Sequence, residues 1–395
     1  MHILILPSWY PTQGNNAGLF IFEQAQALAK HSDLKVSIIN WGPNEFVLKV
    51  RNPFKTILTL AKFSSQREEI IRHSDNLTEY KIPHLTWTSL IKRGNYPALV
   101  TRLISFTSQI VKAEGKLGLI HAHVTFPAGF LAYYMAKNLS VPYIITEHSG
   151  PFPFREYITA KGLRDIVAKP LSATAELVAV SNPLAESISQ FASRMPLVIP
   201  NSVDTDFFIP DPNFKFNQIP NLFTLSQLTV NKGIGDLLQA VRILKGKGYK
   251  FVLRIGGGGR QAAYVKRLAD KLNVSDYVVW LGGLNRQEAL KEYQNCDFYV
   301  MPSRLESLSM VILEAMACAK PIVSTACGGP VDLINEANGI LTEPANHISL
   351  AKGMAAMLET YHKYDRSAIR DICLSKYSPQ VIVPQLMSVY NKVIS

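Results

Sequence analysis

Short apolar runs alternate with helical patterns along almost the whole chain, and this alternation constrains the fold more than any other feature. In the first half, the runs that predict strands are residues 2–6, 35–39, 117–121, 142–146, 176–180 and 197–199. In the second half, they are residues 222–226, 249–255, 277–281, 297–301 and 321–325. Because parallel neighbouring strands need a crossover, usually a helix, the alternation predicts an α/β fold with one doubly wound parallel sheet in each half.

The length of the chain predicts two domains. It has 395 residues, more than one hydrophobic core usually accommodates. Residues 200–220 are rich in Pro, Asn and Phe and follow neither a helical nor a strand period, which is typical of a linker. We therefore predict an N-terminal domain over 1–200 and a C-terminal domain over 201–379. The amphipathic pattern over 380–395 is expected to form a helix that packs back on the first domain.

Composition favours a globular protein without a membrane span. The chain is 47% hydrophobic and 18% charged, which argues against disorder. The apolar stretch at residues 2–7 is short and has no basic lead, so a signal peptide is not expected, and no apolar run reaches transmembrane length. The four cysteines form no CxxC pair, which favours buried free thiols in a reducing cytoplasm over a disulfide or metal site.

The formal net charge of +11 requires an explanation. The excess is concentrated in residues 49–72, where Lys and Arg are interleaved with apolar side chains. Such a segment binds an anionic membrane surface in some proteins and is a solvated helix face in others, and both interpretations stay open. Charge alone, without a recognition motif, does not predict a nucleic-acid partner.

The segment over 302–318 carries the most specific chemistry. A buried strand pattern ends at Met301, a polar turn follows, and a helical pattern then covers 309–317. The free backbone N–H groups at a helix N-terminus suit an anion. Glu306 lies in the turn, and Glu314 follows eight residues later, a little over two helical turns, so both carboxylates are expected near one face. An anion site beside carboxylates suggests a nucleotide sugar as ligand.

An ordered series of motifs resembles the retaining GT-B glycosyltransferases of family 4, and the resemblance covers nearly the whole chain. The most specific motif is PSRLES…ILEAMACAKPIV over 302–323. The other matching segments are 14–18, 121–123, 179–181, 199–204, 231–233, 255–258, 281–284 and 328–330. The family usually has glycine at positions 307 and 309 and an arginine at position 227, where this chain has serine, serine and glutamine.

The resemblance implies two Rossmann-like domains that face an interdomain cleft, the first on the acceptor side and the second binding the nucleotide sugar. It implies transfer of a hexose or N-acetylhexosamine from a UDP- or GDP-sugar to a hydroxyl of a glycan or lipid-linked acceptor. The family works without a cofactor or metal, so none is expected. The expected role is cell-surface polysaccharide biosynthesis by a cytoplasmic protein, peripheral on the inner face of the membrane.

The resemblance also assigns roles to residues of this chain. The catalytic residues would be His123, Glu306 and Lys232, with Lys232 on the diphosphate and Glu306 on the donor sugar. Glu314 would accept hydrogen bonds from the ribose, and His148 would lie on the acceptor side. The remaining donor-binding residues would be Gly14, Gly18, Gln227, Ser307, Leu308, Ser309 and Met310. Arg304 or Arg260 would replace the cation that is missing at Gln227.

Three other interpretations apply to parts of this sequence. The Asp204-Thr205-Asp206 sequence is a DxD, a metal-binding motif of other glycosyltransferases, but its position in the linker favours a structural role. A nucleotide-sugar epimerase with the GT-B fold would share the donor site. A nonenzymatic nucleotide-sugar-binding protein would explain Gln227 and the two serines as lost catalysis.

Overall fold

The computed structural model describes residues 1–12, 17–43, 45–48, 52–87, 95–160 and 162–395. The strands within these residues are β1 His2–Pro7, β2 Lys35–Asn40, β3 Val47–Leu48, β4 Glu69–Ser74, β5 Leu77–Lys81, β6 Thr86–Trp87, β7 Leu119–His123, β8 Tyr143–Glu147, β9 Ile158–Thr159, β10 Gly162–Leu163, β11 Glu176–Ala179, β12 Leu197–Val198, β13 Asn221–Leu225, β14 Val252–Gly256, β15 Val278–Gly282, β16 Phe298–Met301, β17 Ile322–Thr325 and β18 Gly339–Thr342.

Helices connect most of these strands. They are α1 Leu19–His31, α2 Pro53–Ser64, α3 Tyr96–Glu114, α4 Phe130–Leu139, α5 Asp165–Ala173, α6 Asn182–Ser189, α7 Ile234–Gly246, α8 Ala262–Lys271, α9 Arg286–Asn295, α10 Met310–Ala317, α11 Pro330–Leu333, α12 His347–Thr360, α13 Arg366–Tyr377 and α14 Pro379–Ile394. Within the described part of the chain, no helix is both long and apolar enough to cross a bilayer.

The chain divides into two compact units. The first comprises residues 1–180, 184–201 and 382–395, and the second comprises 181–183 and 202–381. The main divisions thus fall at 201/202 and 381/382, against predicted boundaries at 200/201 and 379/380.

The sheet of the first unit has the strand order β12-β11-β8-β7-β1-β2-β5-β4. All neighbouring pairs are parallel except β4 and β5, which are antiparallel, so the sheet carries one antiparallel edge strand. From β1 the chain builds outward to β2 and β5 on one side and later to β7, β8, β11 and β12 on the other. Ligands of such sheets bind beyond the carboxyl ends of the strands, at the point where the order reverses, which here lies between β1 and β7.

The C-terminal helix α14 completes the core of the first unit. Its residues Ile382, Leu386 and Tyr390 are buried in one apolar cluster with Ile3 of β1 and Ile21 of α1. Every residue of β1 is buried, because both faces of the central strands are covered.

The sheet of the second unit is entirely parallel, with the order β15-β14-β13-β16-β17-β18. Numbered within the unit, this order is 3-2-1-4-5-6, that of the dinucleotide-binding Rossmann fold. Its reversal lies between β13 and β16, where Leu222 pairs with Phe298. The loops after Leu225 and Met301 are therefore neighbours at the carboxyl edge.

Each predicted strand overlaps an observed one. The basic segment over 49–72 contains two elements, because α2 ends at Ser64 and β4 begins at Glu69. Arg72 lies on β4, whose Ile70 pairs with Tyr80 of β5. Lys49 and Arg51 of this segment are outside the described residues.

Candidate functional site

The loops after β13 and β16 bring together a cation and a carboxylate. Lys232 follows β13 in a short 3₁₀ turn, Val230–Lys232, that leads into α7. Its Nζ donates a hydrogen bond to Oε1 of Glu306 over 2.6 Å, and the hydroxyl of Ser303 donates to the same oxygen over 2.7 Å. The side chain of Lys232 is 30% exposed and that of Glu306 is 13% exposed. The pair is thus held in place but open to a ligand.

A close backbone approach explains the glycine after this lysine. Gly233 has φ of 65°, and an added Cβ would lie 1.9 Å from the carbonyl oxygen of Pro302. Only glycine allows the two loops to approach this closely. The backbone of Glu306 is held from the other side, since its N–H donates to Cys327 over 2.9 Å and its carbonyl accepts from Gly329 over 3.1 Å.

The turn between Glu306 and α10 presents backbone N–H groups. Among the described residues, the structure gives no protein acceptor for the N–H groups of Leu308, Ser309 and Met310. These are the groups expected to be unsatisfied at the start of a helix. They lie two to four residues after Glu306, so an anion there would be close to the Lys232 pair.

Ser309 is conformationally unusual. Its φ is 103°, in the region that favours glycine, and its side chain is buried. Its hydroxyl has no hydrogen-bond partner among the described residues. Ser307, the other serine at a position where the family usually has glycine, has an ordinary backbone and is partly buried.

Glu314 lies on α10, where it accepts a hydrogen bond of 2.7 Å from the Tyr293 hydroxyl. Burial raises the pKa of the Glu314 carboxyl, although the Tyr293 hydrogen bond and the charge of Arg286 act in the opposite direction. Burial also raises the pKa of Tyr299, and the charges of Glu314 and Glu306 raise it further. Both carboxylates therefore act electrostatically on Tyr299.

The other cations of this region differ in their availability. Arg304 is engaged with Asp236 through two hydrogen bonds of 2.7 and 2.8 Å, so it is already paired rather than replacing the charge missing at position 227. Gln227 and Arg260 are exposed, each in a loop at the carboxyl edge. Asp204 of the DxD sequence pairs with Arg286 over 2.9 Å and accepts the backbone N–H of Phe207 over 3.0 Å, which is a structural role.

Three histidines lie at the carboxyl ends of β7 and β8 in the first unit. Nδ1 of His123 is 2.9 Å from Nε2 of His148, whereas His121 contacts the Tyr390 and Thr146 hydroxyls at 2.8 and 2.7 Å. Burial lowers the pKa of His121 and His148 to about 3 and that of His123 well below its ordinary value. Burial thus favours the neutral form of all three imidazoles. Nε2 of His123 and Nδ1 of His148 are buried and have no hydrogen-bond partner among the described residues.

Glu147, directly before His148, organises this edge. One carboxylate oxygen accepts hydrogen bonds from the N–H and hydroxyl of Thr125, and the other accepts the N–H groups of His148 and Ser149, all within 2.9 Å. The neighbouring Val124 has φ of 78°, which is strained for a β-branched residue.

The predicted glycines after β1 have different outcomes. Gly18, with φ of 82°, precedes α1, and an added Cβ would lie 2.3 Å from the carbonyl oxygen of Trp9. Gly14 lies outside the described residues.

The predicted site residues form two groups, one in each unit. His123 and His148 are in contact in the first, and Lys232 and Glu306 are in contact in the second.

Comparison with solved structures identifies the fold. A sucrose-phosphate synthase from Thermosynechococcus elongatus superposes with a TM-score of 0.73 at 17% identity, covering 99% of both chains. HepE from Anabaena, solved with UDP, superposes with a TM-score of 0.73 at 19% identity, covering 99% of this chain and 100% of that chain. The UDP-glucose complex of HepE superposes with a TM-score of 0.72. The prediction of the GT-B fold class, with two parallel-sheet α/β domains, is confirmed.

Sequence comparison identifies the family. An uncharacterized glycosyltransferase from Methanocaldococcus jannaschii is 26% identical over 386 residues, which covers 91% of this chain and 98% of the relative. The sequence model of the Glycosyltransferase Family 4 matches residues 61–207, and that of the Glycosyl transferases group 1 matches residues 207–370. These matches adjoin and together span most of the chain, which therefore belongs to the family 4, or group 1, glycosyltransferases.

Proposed function

We propose that this glycosyltransferase moves a hexose or N-acetylhexosamine from a UDP- or GDP-sugar to a hydroxyl of a glycan or lipid-linked acceptor. The transfer retains the anomeric configuration and needs no metal, and it contributes to cell-surface polysaccharide assembly. The observation that carries the proposal is the contact of Lys232 with Glu306, beside free backbone N–H groups at the strand-order reversal of a Rossmann sheet. The UDP-bound structures of HepE, a protein of the same fold, support a nucleotide sugar as donor.

In the proposed mechanism, charge stabilisation comes from the chain itself. Lys232 and the N–H groups of residues 308–310 bind the diphosphate and stabilise the charge that develops as it leaves. Glu306 orients Lys232 and accepts hydrogen bonds from the donor sugar, while Glu314 accepts them from the ribose. The acceptor hydroxyl then attacks from the face that the diphosphate leaves, and a phosphate oxygen takes its proton. His123 lines the acceptor side as a neutral hydrogen-bonding group.

The test separates binding from turnover. Binding of UDP, GDP and their sugars is measured by thermal shift and calorimetry, and turnover by release of the nucleoside diphosphate with a bacterial lipid-linked glycan fraction as acceptor. Lys232→Ala should weaken diphosphate binding at least tenfold, since it removes the cation. Glu306→Gln should retain nucleotide binding but lose at least a hundredfold in turnover. Lys247→Ala, at an exposed lysine after α7, is the matched control and should resemble the wild type.

Full activity in either Lys232→Ala or Glu306→Gln would refute the assigned roles. Binding of a nucleotide sugar with no transfer to any acceptor would favour a nonenzymatic binding protein, for which Gln227 is the supporting observation. Conversion of the donor sugar into an isomer in the absence of acceptor would instead indicate an epimerase.

We further propose that α2 attaches the chain to the inner, cytoplasmic face of the cell membrane. None of the twelve residues of α2 is buried. Phe54, Ile57 and Leu58 are 71%, 64% and 54% exposed and lie at helical spacing, with Lys55 beside them. An apolar stripe next to basic residues suits the interface of an anionic bilayer. The charge of +11 has the sign that such lipids attract.

The membrane proposal is tested by co-sedimentation with vesicles. The chain should bind vesicles of phosphatidylglycerol and phosphatidylcholine more strongly than vesicles of phosphatidylcholine alone, and salt should weaken the binding. Ile57→Ser combined with Leu58→Ser should reduce it at least tenfold. Val331→Ser, at an exposed apolar residue of the second unit, is the control. Binding that is indifferent to lipid charge would refute the proposal.

A further inference from the structure

A cavity of about 450 Å³ lies in the first unit, away from the histidine group. Its described lining comes from the carboxyl ends of β1, β2 and β5 and from β4 and α1. The histidine group, His121, His123 and His148, lies on the other side of β1, on β7 and directly after β8. The volume is in the range of small-molecule sites. Among the described residues, neither those of the proposed donor site nor those of the histidine group line this cavity.

A fixed carboxylate forms one wall of the cavity. Glu79 is only 4% exposed. Its Oε2 accepts the Tyr10 hydroxyl over 3.0 Å and lies 3.1 Å from Nε2 of His73, while its Oε1 accepts Nδ2 of Asn40 over 3.0 Å. Each carboxylate oxygen can accept more than one hydrogen bond, so Glu79 retains capacity for a ligand hydroxyl. Because three partners hold the buried carboxylate of Glu79, it is an oriented hydrogen-bond acceptor.

Other lining residues are aromatic or apolar. The ring of Phe22 packs against His73 with centroids 4.8 Å apart, and Phe46, which is almost fully buried, packs against Phe63 at 5.4 Å. Ile71 adds an aliphatic surface. A cavity with an apolar face and one oriented hydrogen-bond acceptor matches a pyranose ring, which has an apolar face and hydroxyls around its edge.

The charges around the cavity disfavour an anionic ligand. Two charged residues besides Glu79 and His73 are among the described residues that line the cavity, and both are paired. Lys81 pairs with Glu69 over 3.0 Å, and Glu45 pairs with Lys62 over 2.9 Å. A phosphate or uronate would meet the buried carboxylate of Glu79 and a lysine already engaged. An uncharged, polyhydroxylated ligand would lose nothing to charge repulsion.

We infer that this cavity binds an uncharged sugar ring of the acceptor glycan. The inference rests on the proposed glycosyltransferase function, and it adds the place and the chemical class of acceptor recognition. Phe22 and Ile71 contact the apolar face of the ring, and Glu79 with Asn40 binds its hydroxyls.

The experiment measures sugar binding to the full chain without nucleotide, by saturation-transfer NMR and calorimetry. The neutral probes are methyl α-glucoside, methyl α-mannoside, N-acetylglucosamine and lactose, and the anionic probes are glucuronic acid and inositol 1-phosphate. At least one neutral probe should bind more tightly than either anionic probe. Glu79→Gln should weaken its binding at least tenfold, whereas Glu68→Gln, at an exposed carboxylate paired with Arg102, should not change it.

Because Glu79 is buried, its substitution also risks the fold, so a second variant is needed. Ile71→Arg places a long cationic side chain in the cavity without removing a buried hydrogen bond, and it should abolish binding while the far-ultraviolet circular dichroism stays unchanged. Binding of no neutral probe, equal binding in wild type and Ile71→Arg, or preference for an anionic probe would each overturn the inference.

The same preparations separate this inference from the proposed function. Lys232→Ala should weaken nucleotide binding at least tenfold but keep sugar binding, since Lys232 belongs to the other unit. Sugar binding without any nucleotide-sugar binding would support the cavity and refute the donor proposal. Nucleotide-sugar binding without binding of any neutral sugar would overturn the cavity alone.

Discussion

Replacement of Ser309 by glycine should stabilise the second unit. The serine has φ of 103°, a conformation that costs a non-glycine residue about 1–3 kcal/mol. Its buried hydroxyl lacks a partner, and leaving such a group unsatisfied costs about 1–3 kcal/mol. Glycine opposes these gains by about 0.4–1 kcal/mol, because it makes the unfolded chain more flexible. With the lower end of each gain, the expected increase in unfolding free energy is about 1–2 kcal/mol.

The assay is thermal and urea unfolding of Ser309→Gly beside Ser307→Gly. An increase of 1–2 kcal/mol corresponds to a rise of about 4 °C in Tm for a unit of this size. Ser307 has no positive φ, so its replacement by glycine should lower stability by about 0.5–1 kcal/mol. The two glycine substitutions should therefore change the unfolding free energy in opposite directions. A Ser309→Gly protein that is no more stable than Ser307→Gly would refute the argument that the backbone is strained.

Three further predictions concern stability. Because burial lowers the pKa of His121, His123 and His148 in the folded chain, whereas an unfolded histidine titrates near 6.5, the unfolding free energy should fall by about 4 kcal/mol between pH 7.5 and 5.5, and His148→Gln should remove about a third of this change. The raised pKa of Glu314 means that its folded form binds protons more readily, so Glu314→Gln should be more stable than wild type at pH 8, by a margin that narrows as the pH falls; a constant margin would contradict this. In urea denaturation, Gly233→Ala should lose about 3 kcal/mol through steric overlap and its positive φ, whereas Gly235→Ala, with its nearest neighbour at 3.6 Å, should gain about 0.5–1 kcal/mol.

The buried parallel strands could be predicted because their signal is local. Runs such as residues 2–6 and 297–301 are apolar at nearly every position, which only a strand covered on both faces requires. The β4–β5 hairpin was missed because β4 is exposed along almost its whole length and therefore has no apolar pattern. Its place in the sheet depends on pairing with β5, which no local property of residues 69–74 reveals.

The candidate site was predictable in its residue types but not in its geometry. The sequence motif around Glu306 led to Lys232, and the two are in contact. The engagement of Arg304 by Asp236 and the strain at Ser309 depend on tertiary structure, so position in the sequence could not reveal them. The cavity beside Glu79 was likewise missed, because Tyr10, Asn40 and His73 come from separate segments that only the fold brings together.

The location of α14 has a consequence for biosynthesis. The apolar cluster of β1 and α1 that α14 completes remains partly uncovered on the ribosome until residues 382–390 emerge. The first unit therefore cannot mature while the second is being translated, although its strands are synthesised earlier. A premature stop codon before residue 382 would leave this cluster exposed and make the first unit a target for chaperones and proteases.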